Sequence, residues 1–431
     1  MTIFQLLGMV TTVIALFGYI NHRFIRLPDT LGITAVGLVV STLLVLLGQH
    51  EPGTIRWAQQ LVASIDFSEA VFHGMLPLLL FAASLHVNIA QIAKEKTPIF
   101  VLATVGVIIS TGIVGILMYY GLAAVGMPLD LVYCLLFGAL ISPTDPIAVM
   151  SVLKKVGVSK SLETKISGES LFNDGTAVVA YLMLLGVATH AAEPTALSIG
   201  TMLLKEVVGA LLLGLVVGYG AVQMIRGVDS YPVEILITLA LATSGYALAE
   251  TVHVSAPLAV VIMGLVMGNL GAKKAMSEKT KAHLFGFWEL LDELLNLLLF
   301  GLIGLQVLAL DVAIHHLWVG GIAILIVLFA RWVSVAIPLA AMSPFRTFAP
   351  HAVKILTWGG LRGGISIALA LSLPKFEGRD LLISATYVVV LFSLLVQATS
   401  LSKLLRKLSA TEKPPAAVNE PRSGSDLDMA A

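Results

Sequence analysis

Asp174 lies inside a long apolar run, directly after Asn173 and shortly after Gly168–Glu169–Ser170. A second acidic centre, Ser142–Pro143–Thr144–Asp145–Pro146, precedes it by a few tens of residues. A carboxylate at membrane depth is costly unless it is paired, hydrated or bound to a cation, so both positions read as ion or proton sites. Thr144 can offer a hydroxyl or carbonyl oxygen beside Asp145, and hard cations take oxygen ligands rather than sulfur or imidazole. Asp–Pro can instead be a structural cap where a helix breaks. Asn173 can donate or accept hydrogen bonds but carries no charge. With one titrating carboxylate in the Asn173–Asp174 pair, one-for-one exchange of a monovalent cation against a proton is the simpler expectation. Ser170 either lines the site or bonds within its own helix.

Two further charges fall in apolar surroundings. Glu169 is five residues before Asp174 and need not face the same lumen. Arg362 is its best candidate partner, because pairing reduces the cost of both charges. The alternative has Glu169 reaching toward the cytoplasmic end and Arg362 bonding to a backbone carbonyl. Arg331 also needs a partner, and the sequence names none. His73 and His86 are thirteen residues apart, which does not suggest a shared metal site. Trp288–Glu289–Leu290–Leu291–Asp292–Glu293, with Asn296 one turn on, reads as a solvated amphipathic helix start for Glu289 and Glu293.

The elements that must hold these residues are membrane helices. Of the 431 residues, 58% are hydrophobic and 12% charged, where soluble domains carry about 25% charged residues. The mean hydropathy is +0.95. Continuous apolar stretches of about 20 residues favour spanning helices over alternating barrel strands. Thirteen spans are expected, at 4–20, 28–47, 68–87, 98–120, 127–150, 166–189, 201–224, 232–250, 254–271, 284–309, 316–340, 353–372 and 380–402. No secretory signal is evident at the N-terminus. The polar, Pro- and Ser-containing stretch from Lys403 on reads as a short disordered tail. Net charge is zero, which gives no nucleic-acid footprint. The single cysteine, Cys134, excludes an intramolecular disulfide and reads as a packing residue.

Basic residues crowd one set of span ends, including Arg23, Arg26, Lys94, Lys96, Lys154, Lys155, Lys273, Lys274, Arg346 and Lys403. The opposite ends hold only Arg56, Lys205, Lys375 and Arg379. The positive-inside rule then puts the N-terminus outside and the C-terminus in the cytoplasm of a multi-pass plasma-membrane protein. Two spans carry helix breakers. Pro143 and Pro146 each remove a backbone donor in the fifth. Gly359, Gly360, Gly363 and Gly364 surround Arg362 in the twelfth and admit close neighbours. Under an inverted repeat, spans five and twelve are equivalent, and paired breaks are the mark of a transporter site near mid-membrane.

Ser142–Pro143–Thr144–Asp145–Pro146, Gly168–Glu169–Ser170–Leu171–Phe172–Asn173–Asp174–Gly175 and Gly359–Gly360–Leu361–Arg362–Gly363–Gly364, in this order, resemble the monovalent cation/proton antiporter-1 family, which includes bacterial NhaP-type sodium/proton antiporters and animal exchangers. The resemblance covers all thirteen expected spans. It implies an all-α NhaA-like antiporter fold of inverted repeats with two crossing broken helices. It implies a homodimer in lipid, with a mobile core domain (spans within 98–189 and 316–402) moving past a dimerisation domain (spans within 4–87 and 201–309). It implies exchange of cytoplasmic Na+ or Li+ for external H+ by alternating access, without a cofactor or enzymatic activity. Carried onto this chain, Asp174 is the central ion and proton carboxylate and Asn173 its neutral companion. Thr144, Asp145 and Ser170 contribute to the cation site, and Glu169 with Arg362 forms a buried ion pair. Phe287–Trp288–Glu289–Leu290–Leu291–Asp292 with Asn296 resembles a tenth-span pattern of the family. One departure is that Phe81 is followed by Ala82, where many bacterial relatives carry glutamate. The short expected tail leaves no room for a large regulatory domain like that of animal exchangers.

A K+/H+ or broad-specificity exchanger is the nearest alternative, because ligand types do not fix ion radius. A channel would more often present a multisubunit ring of carbonyls or charges. A membrane hydrolase would need a nucleophile–base pair, and Gly168–Glu169–Ser170 is not a nucleophile elbow.

Overall fold

The computed structural model describes residues 2–48, 58–62, 64–147, 149–150, 153, 160–189, 196–309 and 314–410. The expected tail beyond 410 and the basic pair Lys154–Lys155 lie outside these residues.

Among the described residues, eleven helices are long and apolar enough to cross a bilayer. They are α1 (Phe4–Ile25), α2 (Asp29–Leu47), α3 (Phe67–Leu85), α4 (Lys96–Ala124), α6 (Lys160–Ala188), α7 (Leu204–Arg226), α8 (Tyr231–Thr251), α9 (Ala256–Lys274), α10 (Glu278–Ala309), α11 (Trp318–Met342) and α14 (Arg379–Leu408). The expected spans five and twelve are not among these continuous helices. The fifth runs as helix α5 (Leu131–Leu140) and then loses helical form through Ser142–Pro146. The twelfth is two short helices, α12 (Ala352–Trp358) and α13 (Gly364–Leu371), separated by an unwound 359–363. Both breaks fall where the prolines and glycines lie.

Helix ends follow local chemistry. The Asp66 side chain accepts from Glu69 N at 3.0 Å and starts α3. The Ser277 hydroxyl accepts from Thr280 N at 3.2 Å, which begins α10 six residues earlier than hydropathy alone suggests. The chain also stays helical past Lys403 as far as Ala410, so the expected tail does not begin at 403. Within α3 the turn widens over Ala70–Met75, just before Pro77. Pro77 has no N–H to continue the regular ladder, and a wide turn accommodates the missing bond. A similar wide turn at Ser393–Ala398 in α14 packs beside the unwound 359–363.

Without a hydrophobic drive between helices in lipid, small residues set how closely backbones approach. Helices α4 and α5 meet at Gly138, where a Cβ would lie 2.4 Å from the Thr111 carbonyl oxygen. Helices α2 and α10 meet at Gly37 and Gly304, with Ser41 Oγ donating to Gly304 O at 2.9 Å. Helices α4, α5, α6, α11 and α14 pack on one another around the two unwound stretches, while α3, α7 and α8 pack on α9. The functional residues lie where these groups face each other.

Candidate functional site

The two unwound stretches cross and bond directly. Asp145 N donates to Leu361 O at 2.8 Å. The Asp145 carboxylate accepts from Ile147 N at 2.9 Å, which starts the helical turn after the break. A Cβ on Gly363 would stand 2.5 Å from Asp145 Oδ2, so the crossing requires glycine there. Breaking α5 leaves carbonyls that its own helix no longer satisfies. Arg362, only 2% exposed, meets this need by donating from one guanidinium nitrogen to Ser142 O and, at 3.2 Å, to Pro143 O. Ser393 Oγ accepts from its backbone N–H at 2.9 Å.

The Glu169–Arg362 pair expected from sequence is not formed. Glu169 is paired instead with Arg331 of α11 in a two-pronged contact, Arg331 Nη1 to Oε1 and Nη2 to Oε2, the latter at 3.1 Å. Arg331 also donates from Nε and Nη2 to Leu356 O, at 3.3 and 3.1 Å. Both arginines therefore supply donors where a broken helix stops. Arg331 serves the end of α12 and Arg362 the end of α5, each placing positive charge at the negative end of a helix dipole. Arg362 bonds to backbone carbonyls, as in the alternative drawn from the sequence, because the break beside it leaves them open; Glu169, which that alternative turns toward the cytoplasmic end, is paired instead. The lone Arg331 within an apolar run was the available clue to the missing partner.

Helix α6 then sorts its polar residues by face. Ser167, Ser170, Leu171 and Asp174, at i, i+3, i+4 and i+7, line one cavity, and Glu169 and Asn173 turn away from it. Asn173 Nδ2 donates to Thr144 Oγ1 at 2.7 Å, tying the neutral companion to the crossing. Ser170 Oγ contacts Thr144 O. Thr144, Asp145, Ser170 and Asp174 thus bring hydroxyl, carbonyl and carboxylate oxygens to a cavity of about 110 Å³. Asp174 is 7% exposed, and its Oδ1 has no hydrogen-bond partner among the described residues. Such a group needs a proton, a cation or water. Among those residues no cluster of three or more His, Cys, Asp or Glu has the arrangement of a metal centre. The mixed oxygen set suits a weakly held monovalent ion.

Helix α10 faces the same cavity with Asp292 and Asn296. The residue types alone left Asp292 within an acidic helix start, and only the tenth-span resemblance pointed to it. Glu289 and Glu293 are exposed. His73 and His86 are apart: His73 lies between Glu69 (2.8 Å) and Glu250 (3.1 Å), and His86 bonds Ala82 O at 2.8 Å.

The sequence matches the family described as "Sodium/hydrogen exchanger, transmembrane" over residues 12–407. The chain belongs to this family. It is 46% identical over 402 residues to the Na(+)/H(+) antiporter NhaP of Pseudomonas aeruginosa, covering 92% of this chain and 94% of that one. It is 36% identical to the Na(+)/H(+) antiporter NhaH of Halobacillus aidingensis, covering 94% and 97%. The structure of the sodium proton antiporter MjNhaP1 from Methanocaldococcus jannaschii at pH 8 superposes with a TM-score of 0.71 at 19% identity, over 93% of this chain and 97% of that one. That similarity establishes the antiporter fold for this exchanger-family chain, with its crossed, broken helices.

Proposed function

We propose that this membrane protein is a secondary transporter that exchanges cytoplasmic Na+ or Li+ for external H+ by alternating access. The observation that carries the reading is the buried, unpartnered oxygen of Asp174 in a cavity shared with Thr144, Asp145 and Ser170. A proton and a small cation compete for such a carboxylate, and competition for one site is the simplest form of coupling. The names of the similar NhaP and NhaH proteins support Na+ as the cargo.

Asn173 adds no second titrating acid and is engaged by Thr144, which favours one ion per proton. The basic span ends favour a cytoplasmic C-terminus in the plasma membrane. The packing of α4, α5, α6 and α11 to α14 around the crossing supports a core that moves as a unit; it would move past a dimerisation domain of α1 to α3 and α7 to α10 in a homodimer. Purified protein in sealed vesicles with a proton-sensitive dye tests the reading. Na+ or Li+ should move protons in the intact protein and not in Asp174→Asn. A K+ response of equal size would assign broad specificity, and full activity in Asp174→Asn would overturn the site.

A further inference from the structure

Helix α10 presents a single stripe to two neighbouring spaces. Glu278, Lys281 and Phe285 line an open cleft of about 600 Å³, while Asp292 and Asn296 line the buried cavity. Val87 forms part of the wall of both. The spacing 278, 281, 285, 292, 296 keeps one helical face throughout, and by helical rise Asp292 lies about 10 Å deeper than Phe285. The cleft also carries Lys273, so it opens at the basic end of the molecule.

Asn296 is the telling residue. It is 2% exposed, and its Nδ2 donates to Asp292 O at 2.8 Å. That bond fixes the amide, and Oδ1 is left with no partner among the described residues. A buried oxygen without a donor is unfavourable unless a ligand or water meets it. Asp292 stands one turn nearer the cleft and supplies a negative charge. A carboxylate and a neutral carbonyl oxygen together repeat, on the opposite wall, the oxygen chemistry offered by Asp174 and Thr144.

The wall that holds them is anchored separately from α6. Trp288 is fully buried, donates to Thr238 Oγ1 of α8 at 2.9 Å and lies against the Phe81 ring of α3 at 4.6 Å. Neither Asp292 nor Asn296 is bonded to the crossing that holds Asp145.

We propose that Asp292 and Asn296 form an accessory position for a partly hydrated monovalent cation, occupied between the cleft and Asp174. The inference rests on the exchanger reading above and adds a second binding position to it. Ions arriving from the cleft meet Asp292 first, and water in the cavity completes their shell. The position raises the local concentration of cation beside Asp174.

The test compares Asp292→Asn, Asp292→Glu, Asn296→Ala and Asp174→Asn in proteoliposomes, together with Na+-dependent thermal stabilisation of the purified proteins. Loss of the Asp292 charge should raise the KM for Na+ about tenfold, the size of one lost charge-assisted contact, with a smaller effect on maximal rate. Asp292→Glu should restore KM to within about twofold, because the charge returns. Asn296→Ala should raise KM in the same direction. Na+ should still stabilise Asp174→Asn but not the Asp174→Asn/Asp292→Asn double variant. An unchanged KM in Asp292→Asn would overturn the proposal. So would a fall in maximal rate at constant KM that Asp292→Glu does not repair, since that pattern belongs to a packing role. Wild-type protein without Na+-coupled proton movement would instead remove the exchanger reading itself.

Discussion

Removing the Arg331 guanidinium should be among the most damaging single changes in the molecule, and its cost should depend on Glu169 rather than Arg362. Glu169 is 2% exposed and Arg331 7% exposed, so neither can recruit bulk water when the other is lost. Breaking a buried ion pair by deleting one partner costs about 3–5 kcal/mol, mostly from the charge left behind. Arg331→Met also withdraws both donors from Leu356 O. At roughly 2 °C per kcal/mol for a large chain, the melting temperature in detergent should fall by about 6–10 °C. Glu169→Gln should be destabilising for the same reason, since it strands the arginine. The double variant Glu169→Gln/Arg331→Met strands no charge and should lose about 2–3 kcal/mol less than the sum of its parts. Arg362→Met with Glu169→Gln should show clearly weaker coupling than the Glu169–Arg331 pair, because Arg362 bonds to the Ser142 and Pro143 carbonyls instead. The assay is a thermal unfolding series on purified protein, with size-exclusion profiles to exclude aggregates. Strong coupling of Glu169 to Arg362 and none to Arg331 would refute the pairing.

Gly363→Ala should abolish exchange while leaving the protein in the membrane, because its Cβ would sit 2.5 Å from Asp145 Oδ2 and displace a carboxylate already bonded to Ile147 N; expression with vesicle transport at wild-type or near-wild-type rate would argue against a fixed crossing. Asn173→Asp adds a second buried acid beside Asp174 and should make transport electrogenic, read as a response to an imposed membrane potential that the parent protein lacks. At acidic pH, protons hold the Asp174 site, so the KM for Na+ should rise about tenfold per pH unit once the carboxylate is mostly protonated, while the maximal rate at saturating Na+ changes less; a KM independent of pH would separate the proton from the cation site.

Much of this site was visible in residue types. Pro143, Pro146 and the glycines around Arg362 disclosed the two broken helices, because a missing N–H and a missing Cβ act locally. The facing of Ser170 and Asp174 toward one cavity follows from their i, i+4 spacing. The pairing of charges was not legible. Three buried ionisable residues, Glu169, Arg331 and Arg362, admit more than one pairing, and the choice depends on which carbonyls the breaks leave open. That is a property of the assembled crossing. Asp292 was obscured for another reason. In sequence it sits among Glu289 and Glu293, which are exposed, and a helix surface separates such neighbours only once it is packed.

The charges of the crossing also explain why exchange would be obligatory. Arg331 and Arg362 contribute two positive charges, and ionised Glu169, Asp145 and Asp174 contribute three negative ones. The empty core therefore carries one uncompensated negative charge. One Na+ or one H+ at the site brings the count to zero. Moving an uncompensated charge through a low-dielectric barrier is expensive, whereas a neutral assembly crosses without that penalty. In the proposed cycle the core turns over when loaded with either ion and stalls when empty, which couples the two fluxes one for one. Both arginines are needed for this balance, and each donates to carbonyls left open where a helix is broken, Arg331 in addition to its pairing with Glu169. The unwound stretches thus do two things at once: they expose oxygens to the cation, and they fix the positive charge that makes a single cation or proton sufficient. Asn173→Asp would raise the deficit to two: two protons then neutralise the proton-loaded core, whereas a single Na+ leaves one negative charge on the cation-loaded core, and that net charge movement is why its transport should respond to voltage.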